Sequence, residues 1–243
     1  FIFLKYVIID KHGKLCLIVN AHRFPQGLRK KRRDIMNILA PSILAADCTI
    51  MGEQINSVKE GGAKYLHIDV MDGVFVPSIS YGMCVVQSLR KIKDIVFDVH
   101  LMITEPIRYI EEFAKAGADI INVSTGNTVE NQNPKTGRMW QVPFSDMVRN
   151  SADIPTITAG TITDIDQINT IILSGKADLV ALGKPLLLDP YFVRKAQAYE
   201  QITITDIPYQ YQKGIENLYS STISERKQTE RMKKALKPKS NKK

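Results

Sequence analysis

Three stretches of the chain carry the same signature: a helical run ends in glycine, alanine follows, and a β-branched apolar run begins. They are EGGAKYLHIDV at 60–70, KAGADIINV at 115–123 and SGKADLVALG at 174–183. Glycine at a helix C-terminus takes up the left-handed turn, and a continuous apolar run suits a strand buried on both faces. Further strands are expected at ILAPSIL (38–44), IVFDVHLM (95–102) and IPTITAG (154–160). Six strands spaced by about one βα unit each predict a parallel sheet wrapped by helices. The expected fold class is therefore α/β, a TIM-barrel-like (β/α) repeat. It is incomplete or chimeric, because a full (β/α)₈ barrel needs about eight strands. The opening FIFLKYVIIDKHGKLCLIVN reads instead as an antiparallel hairpin turning at His12-Gly13, and it either fills the gap or stands apart.

The charge is uneven. Nine basic residues face two acidic ones over 1–37, ten face three over 213–243, and the stretch between has an acidic excess, so the formal +8 belongs to the ends. A nucleic-acid partner is not expected, since the basic tail lacks an interleaved aromatic platform. Residues 209–236 are expected to form a solvated terminal helix after Gly214, followed by KPKSNKK. Cys16, Cys48 and Cys84 form no CxxC pair, so neither a disulfide framework nor a structural zinc site is indicated, and a reducing cytoplasm fits. Lys5 and Asp10 interrupt the apolar opening, which reads as neither a signal peptide nor a membrane span. Three segments are expected: an extension at 1–36 with hairpin and basic linker, a barrel-like domain at 37–204, and a basic helix and tail at 205–243.

The chemistry concentrates in YLHIDVMDGVFVP (65–77) and DVHLM (98–102). Period-two spacing aims His67 and Asp69 at one face of a strand, where His100 of the next strand could join them. Two imidazoles and a carboxylate suit Zn²⁺, Fe²⁺ or Mn²⁺. The plain alternative is a set of core histidines bonded to backbone carbonyls.

From Asn37 to about Val123, the motifs NILAPSILAAD, YLHIDVMDGVFVP and DVHLMITEPIRYIEEFAKAGADIINV resemble the first half of ribulose-phosphate 3-epimerase. Met36 precedes them as an initiator would, which makes residues 1–35 an appended segment on this reading. From about Ile121, over 121–204, the chain resembles the C-terminal part of an old-yellow-enzyme-type flavin oxidoreductase barrel, and especially the reductase-like half of anthraniloyl-CoA and salicyloyl-CoA monooxygenases. The halves look spliced at the shared strand DIINV.

The epimerase resemblance implies metal ligands at His67, Asp69 and His100, an acid/base role for Asp69, and substrate contacts from Ser42, Met71 and Met102. It also implies a second catalytic aspartate on the strand ITAG, where Thr158 stands instead, so inversion is expected to be impaired. Asp164, six residues on, reads as a helix cap rather than a replacement acid. The flavoprotein resemblance implies phosphate binding by Gly160, Thr161, Gly183 and Lys184, with lysine where that family usually has arginine. Ordinary strand-to-helix turns are the plain reading of both glycines. FMN is the lesser cofactor expectation, because the flavin family's first barrel half is missing.

The leading expectation is thus a metal-dependent sugar-phosphate epimerase-like protein taking a phosphorylated small molecule. The alternatives are an FMN-binding oxidoreductase-like fragment and a non-catalytic fused barrel. An exposed sheet edge would favour a homo-oligomer.

Overall fold

The computed structural model of the chain describes residues 4–9, 15–19, 37–125, 136–199 and 209–235. The turn at His12-Gly13, the basic linker before Asn37 and the terminal KPKSNKK lie outside the described residues. The chain packs as two compact units, Phe1–Leu187 and Leu188–Lys243.

In the first unit the strands are β1 (Leu4–Ile9), β2 (Leu15–Val19), β3 (Asn37–Leu39), β4 (Tyr65–Met71), β5 (Val96–Met102), β6 (Ile120–Val123), β7 (Thr156–Thr158) and β8 (Leu179–Leu182). The helices are α1 (Met51–Glu60), α2 (Met83–Leu89), α3 (Ile110–Ala116), α4 (Val142–Ala152) and α5 (Ile165–Leu173), with α6 (Lys184–Leu188) following β8. All six strands expected from the βα pattern are present. The first is shorter than ILAPSIL: the strand ends at Leu39, and Pro41 has no N–H to extend the ladder.

β4 to β8 run parallel in sequence order, giving a TIM-barrel-like α/β sheet. β1 pairs antiparallel with β2 and also with β8, while β2 pairs parallel with β3. The sheet order is β3-β2-β1-β8-β7-β6-β5-β4. Its two ends then meet, because His67 N donates to Pro41 O at 2.9 Å and Lys64 N to Leu39 O at 3.2 Å. The eight strands close on themselves, with β1 and β2 bridging β8 and β3. Closure leaves no free edge in this sheet, which removes the sheet-edge argument for an oligomer.

Strand alternation sorts side chains into two layers. Leu66, Ile68, Val70, Phe97, Val99, Ile121 and Val123 pack outward in one cluster with Ile55, Phe113 and Val148 of the helices. A smaller cluster of Ala40, Ile120, Ile157, Ala159 and Ala181, joined by Tyr65, Val96 and Leu179, fills the inside. His67 and Asp69, alternating with outward Leu66, Ile68 and Val70, fall on this inner face.

One anchoring device occurs twice at the strand starts. Arg90, capping α2, donates to Asp119 Oδ2 at 2.7 Å and to Gly117 O at 3.5 Å, and the same carboxylate accepts Phe97 N at the head of β5. Arg149 of α4 donates to Asp178 at 2.9 and 3.1 Å and to Gly175 O at 3.1 Å, and that carboxylate accepts Thr156 N at the head of β7. The repeated glycine, alanine and aspartate of the sequence thus tie each helix end to the strand before and the strand after.

The second unit holds α7 (Phe192–Tyr199) and α8 (Gln212–Ala235). Arg226 donates to Tyr199 O at 2.8 Å and lies 5.2 Å from the centre of its ring. The terminal helix is present from Gln212, two residues before Gly214. Among the described residues no helix is long and apolar enough to cross a membrane.

Candidate active site

The parallel register of β4 and β5 sets His67 against Asp98 and Asp69 against His100. Two histidines and two aspartates therefore form a crossed square on the inner face. His67, Asp69 and Asp98 are wholly buried, and His100 is nearly so.

Asp69 Oδ1 lies 3.1 Å from His67 Nε2 and 3.1 Å from His100 Nδ1, and Asp69 Oδ2 accepts Ser42 Oγ at 3.0 Å. The other imidazole nitrogens are spoken for. His67 Nδ1 faces Asp98 Oδ2 at 2.7 Å, and His100 Nε2 faces Ser124 O at 3.3 Å. Donation from those outer nitrogens directs two imidazole lone pairs at one carboxylate oxygen. A positive charge at that point, either protons on the rings or a divalent cation, is what reconciles three acceptors. The three ligand atoms lie within 4.8 Å of one another, a donor set that fits a divalent metal ion.

The electrostatics agree. Burial would push His67 down, but the charge of Asp98 and the hydrogen bonds with Asp69 and Asp98 raise it to about 9. Burial would push Asp69 up, yet its bonds with His100 and His67 hold it well below the ordinary carboxylate range. Asp69 stays ionised at neutral pH.

The remaining expected site residues divide into those that share a cleft and those that do not. A cleft of about 540 Å³ at the strand C-terminal ends is lined by His100, Met102, Gly160, Thr161, Gly183 and Lys184 among others. The expected phosphate loops and one expected metal ligand thus meet in one space. Asp69 and His67 lie a layer beneath it, with only His100 of the three on its wall. Met71 is half-buried and does not line this cleft. Ser42 caps the short turn Ile43–Ala45, accepting Leu44 N while donating to Asp69.

Gly160 has φ +96°, and a Cβ there would sit 2.6 Å from Gln141 Cγ, so glycine is required. Gly183 has neither constraint.

Thr158 is placed differently from expectation. It pairs in register with Val123 and Val180, on the outward face, whereas Ile157 pairs with Asn122 and Leu179 toward the inside. In a parallel ladder register partners share a face, so Thr158 does not face the His–Asp square. Asp164 is the N-cap of α5: its Oδ1 accepts Gln167 N at 2.8 Å. No carboxylate is among the described residues lining the cleft.

Asp98 was missed from sequence. Its signal was the spacing DVH, the mirror of HID on the preceding strand.

Fold and site together define an α/β-barrel protein with a buried His–Asp–His donor set on its inner face. Comparison with known proteins finds both likenesses, overlapping over residues 88–136. Residues 38–136 match the ribulose-phosphate 3 epimerase family, and residues 88–201 match the NADH:flavin oxidoreductase / NADH oxidase family. Among curated relatives, ribulose-phosphate 3-epimerase of Synechocystis sp. is 55% identical over 35% of this chain and 37% of its own length. The Bacillus subtilis enzyme of the same name is 56% identical over 35% of this chain and 39% of its own. The Arabidopsis thaliana chloroplastic ribulose-5-phosphate-3-epimerase is 50% identical over 35% and 31% respectively. The match therefore spans less than half the length of these relatives. Solved structures matched include a putative lactate oxidase of Pediococcus acidilactici, with TM-score 0.46 at 15% identity over 67% of this chain and 57% of that one. A mandelate oxidase variant with benzoyl-formic acid gives TM-score 0.44 at 13% identity over 58% and 47%.

Proposed function

We propose that the first unit is a metal-dependent sugar-phosphate epimerase-like centre, of the ribulose 5-phosphate/xylulose 5-phosphate type, that exchanges a proton but is impaired in inversion. The observation that carries this reading is the His67–Asp69–His100 cluster, set within the segment most similar to the epimerases and beside a cleft bearing Gly160, Thr161, Gly183 and Lys184.

The proton-accepting role is assigned to Asp69, fixed by Ser42 and both imidazoles, with the reacting carbon seated past His100 at the floor of the cleft. Asp98 orients His67 through Nδ1, and the Ser124 carbonyl orients His100 through Nε2. A divalent cation held by His67, Asp69 and His100 would stabilise negative charge on the oxygen next to the reacting carbon. Lys184 and the turn at Gly160-Thr161 would hold the phosphate end, as loops after the last strands do in many barrels. Inversion also needs an acid on the opposite face of that carbon. The sequence of β7 supplies none, and Asp164 is committed to its cap.

Elemental analysis of protein loaded with Zn²⁺ or Mn²⁺ tests the centre. One tightly held ion per chain is expected, with none in His67→Ala. Equal metal content in both proteins would sink the reading. FMN is the second reading, favoured by the match over 88–201 and by the two loops on one cleft. Unchanged flavin fluorescence on titration would remove it.

A further inference from the structure

Gln141 stands at the junction of the turn 138–141 and α4. Its residue is 5% exposed and it lines the cleft. Its Nε2 donates to Thr125 O, at the end of β6, which fixes which way the amide points. The remaining amide atom, Oε1, is buried and has no hydrogen-bond partner among the described residues.

The stem of this side chain lies across Gly160. A Cβ on Gly160 would meet Gln141 Cγ, Cβ and Cδ at 2.6, 2.9 and 2.9 Å. The left-handed glycine therefore makes room for the glutamine, which seats the amide against the strand end that carries the proposed phosphate turn. Leaving a buried acceptor unpaired costs on the order of 1–3 kcal/mol, so buried acceptors ordinarily find a donor. Neighbouring Trp140, half-buried, forms part of the same cleft wall. Lys184, Gln141 and Trp140 therefore border one cleft, a cation, a buried acceptor and an aromatic ring.

We infer that Gln141 is a ligand-positioning residue whose Oε1 accepts a hydrogen bond from a hydroxyl of a phosphorylated polyhydroxy ligand. The assignment rests on the sugar-phosphate reading above and adds the group that tells a polyol phosphate from phosphate alone.

Trp140 is the chain's single tryptophan, so its fluorescence reports on the cleft without labelling. The test is titration of the full chain with D-ribulose 5-phosphate and, separately, with inorganic phosphate. Wild type is compared with Gln141→Leu and Gln141→Met, which keep bulk and delete the acceptor. Both variants are expected to bind ribulose 5-phosphate about tenfold more weakly, the factor expected for one lost hydrogen bond, and inorganic phosphate as wild type does. Should either variant fail to fold, Gln141→Asn, which keeps the amide and shortens its reach by one methylene, takes its place and is expected to show the same loss for ribulose 5-phosphate with inorganic phosphate unchanged.

Equal affinity of wild type and variants for ribulose 5-phosphate would overturn the assignment and leave the sugar-phosphate reading standing. An equal loss for inorganic phosphate and sugar phosphate would overturn it too, since Gln141 would then only shape the turn. Failure of wild type to respond to any sugar phosphate would overturn both.

Discussion

The segments 65–123 and 156–182 are anchored alike at the strand starts and equipped differently beyond them. At the starts, Arg90 with Asp119 and Arg149 with Asp178 perform one task, through one bond to the carboxylate in the first and two in the second: an arginine from a helix end, an aspartate entering a strand, and a backbone N–H of the neighbouring strand. Further along, the first segment carries a buried square of histidine and aspartate at mid-strand, whereas a glycine turn and a lysine follow the strands of the second. The anchoring device thus stays at the strand starts while the equipment beyond it differs. Both anchors lie within residues 88–201, so the strand starts are registered by one device across the stretch where the two family matches overlap and beyond it.

The comparison is broken most forcefully at the square. Asp98→Asn keeps a hydrogen-bond acceptor for His67 but removes the charge. Metal affinity is expected to fall about 10–100-fold, as for other second partners of metal-binding histidines, measured by competition with a chromogenic chelator. In metal-free protein the same change has a pH signature. His67 is raised from 6.5 to about 9, so its contribution to stability is complete below pH 6.5 and is lost as pH climbs through about 9. Urea midpoints of wild type should fall across that window and those of Asp98→Asn should change less. Identical profiles would mean that Asp98 does not act on His67.

In and just after the second segment, Gly160 and Gly183 are expected to respond differently. Gly160→Ala faces both a positive φ and the Gln141 side chain, and a loss of about 1–3 kcal/mol in urea unfolding is expected. Gly183→Ala meets nothing within 4 Å and should be neutral. A large loss at Gly183 would contradict the packing account of this pair.

The smallest effects test the shared device. Arg90→Ala and Arg149→Ala should each cost about 1–2 kcal/mol, limited because both pairs are partly open to solvent. The two losses should fall in the same range, and in the double variant they should add within about 0.5 kcal/mol. A silent variant on one side and a damaging one on the other would end the equivalence.

What could be read from the sequence follows the range of the physics involved. The six βα strands were legible because glycine turns and apolar runs are local signals. The alignment of His67 with Asp69 was legible because it needs only alternation within one strand. Asp98 escaped notice because its role depends on register between β4 and β5, which aligns HID with DVH. Thr158 was assigned by resemblance to the epimerase motif, and a three-residue strand gives alternation too little length to check its phase. The hairpin was recognisable as a hairpin, but its place between β8 and β3 depends on which strands lack neighbours, a property of the closed sheet. Gln141 carried no signal, since an isolated glutamine before a helix is ordinary.

The central claim is that Asp69 with its two histidines removes a proton from a sugar phosphate and that no acid awaits on the opposite face. Metal-loaded protein incubated with D-ribulose 5-phosphate in D₂O, followed by mass spectrometry and NMR, tests it directly. The account predicts deuterium at the carbon next to the ketone without xylulose 5-phosphate. Appearance of xylulose 5-phosphate would contradict the missing acid, and absence of deuterium would contradict the base itself.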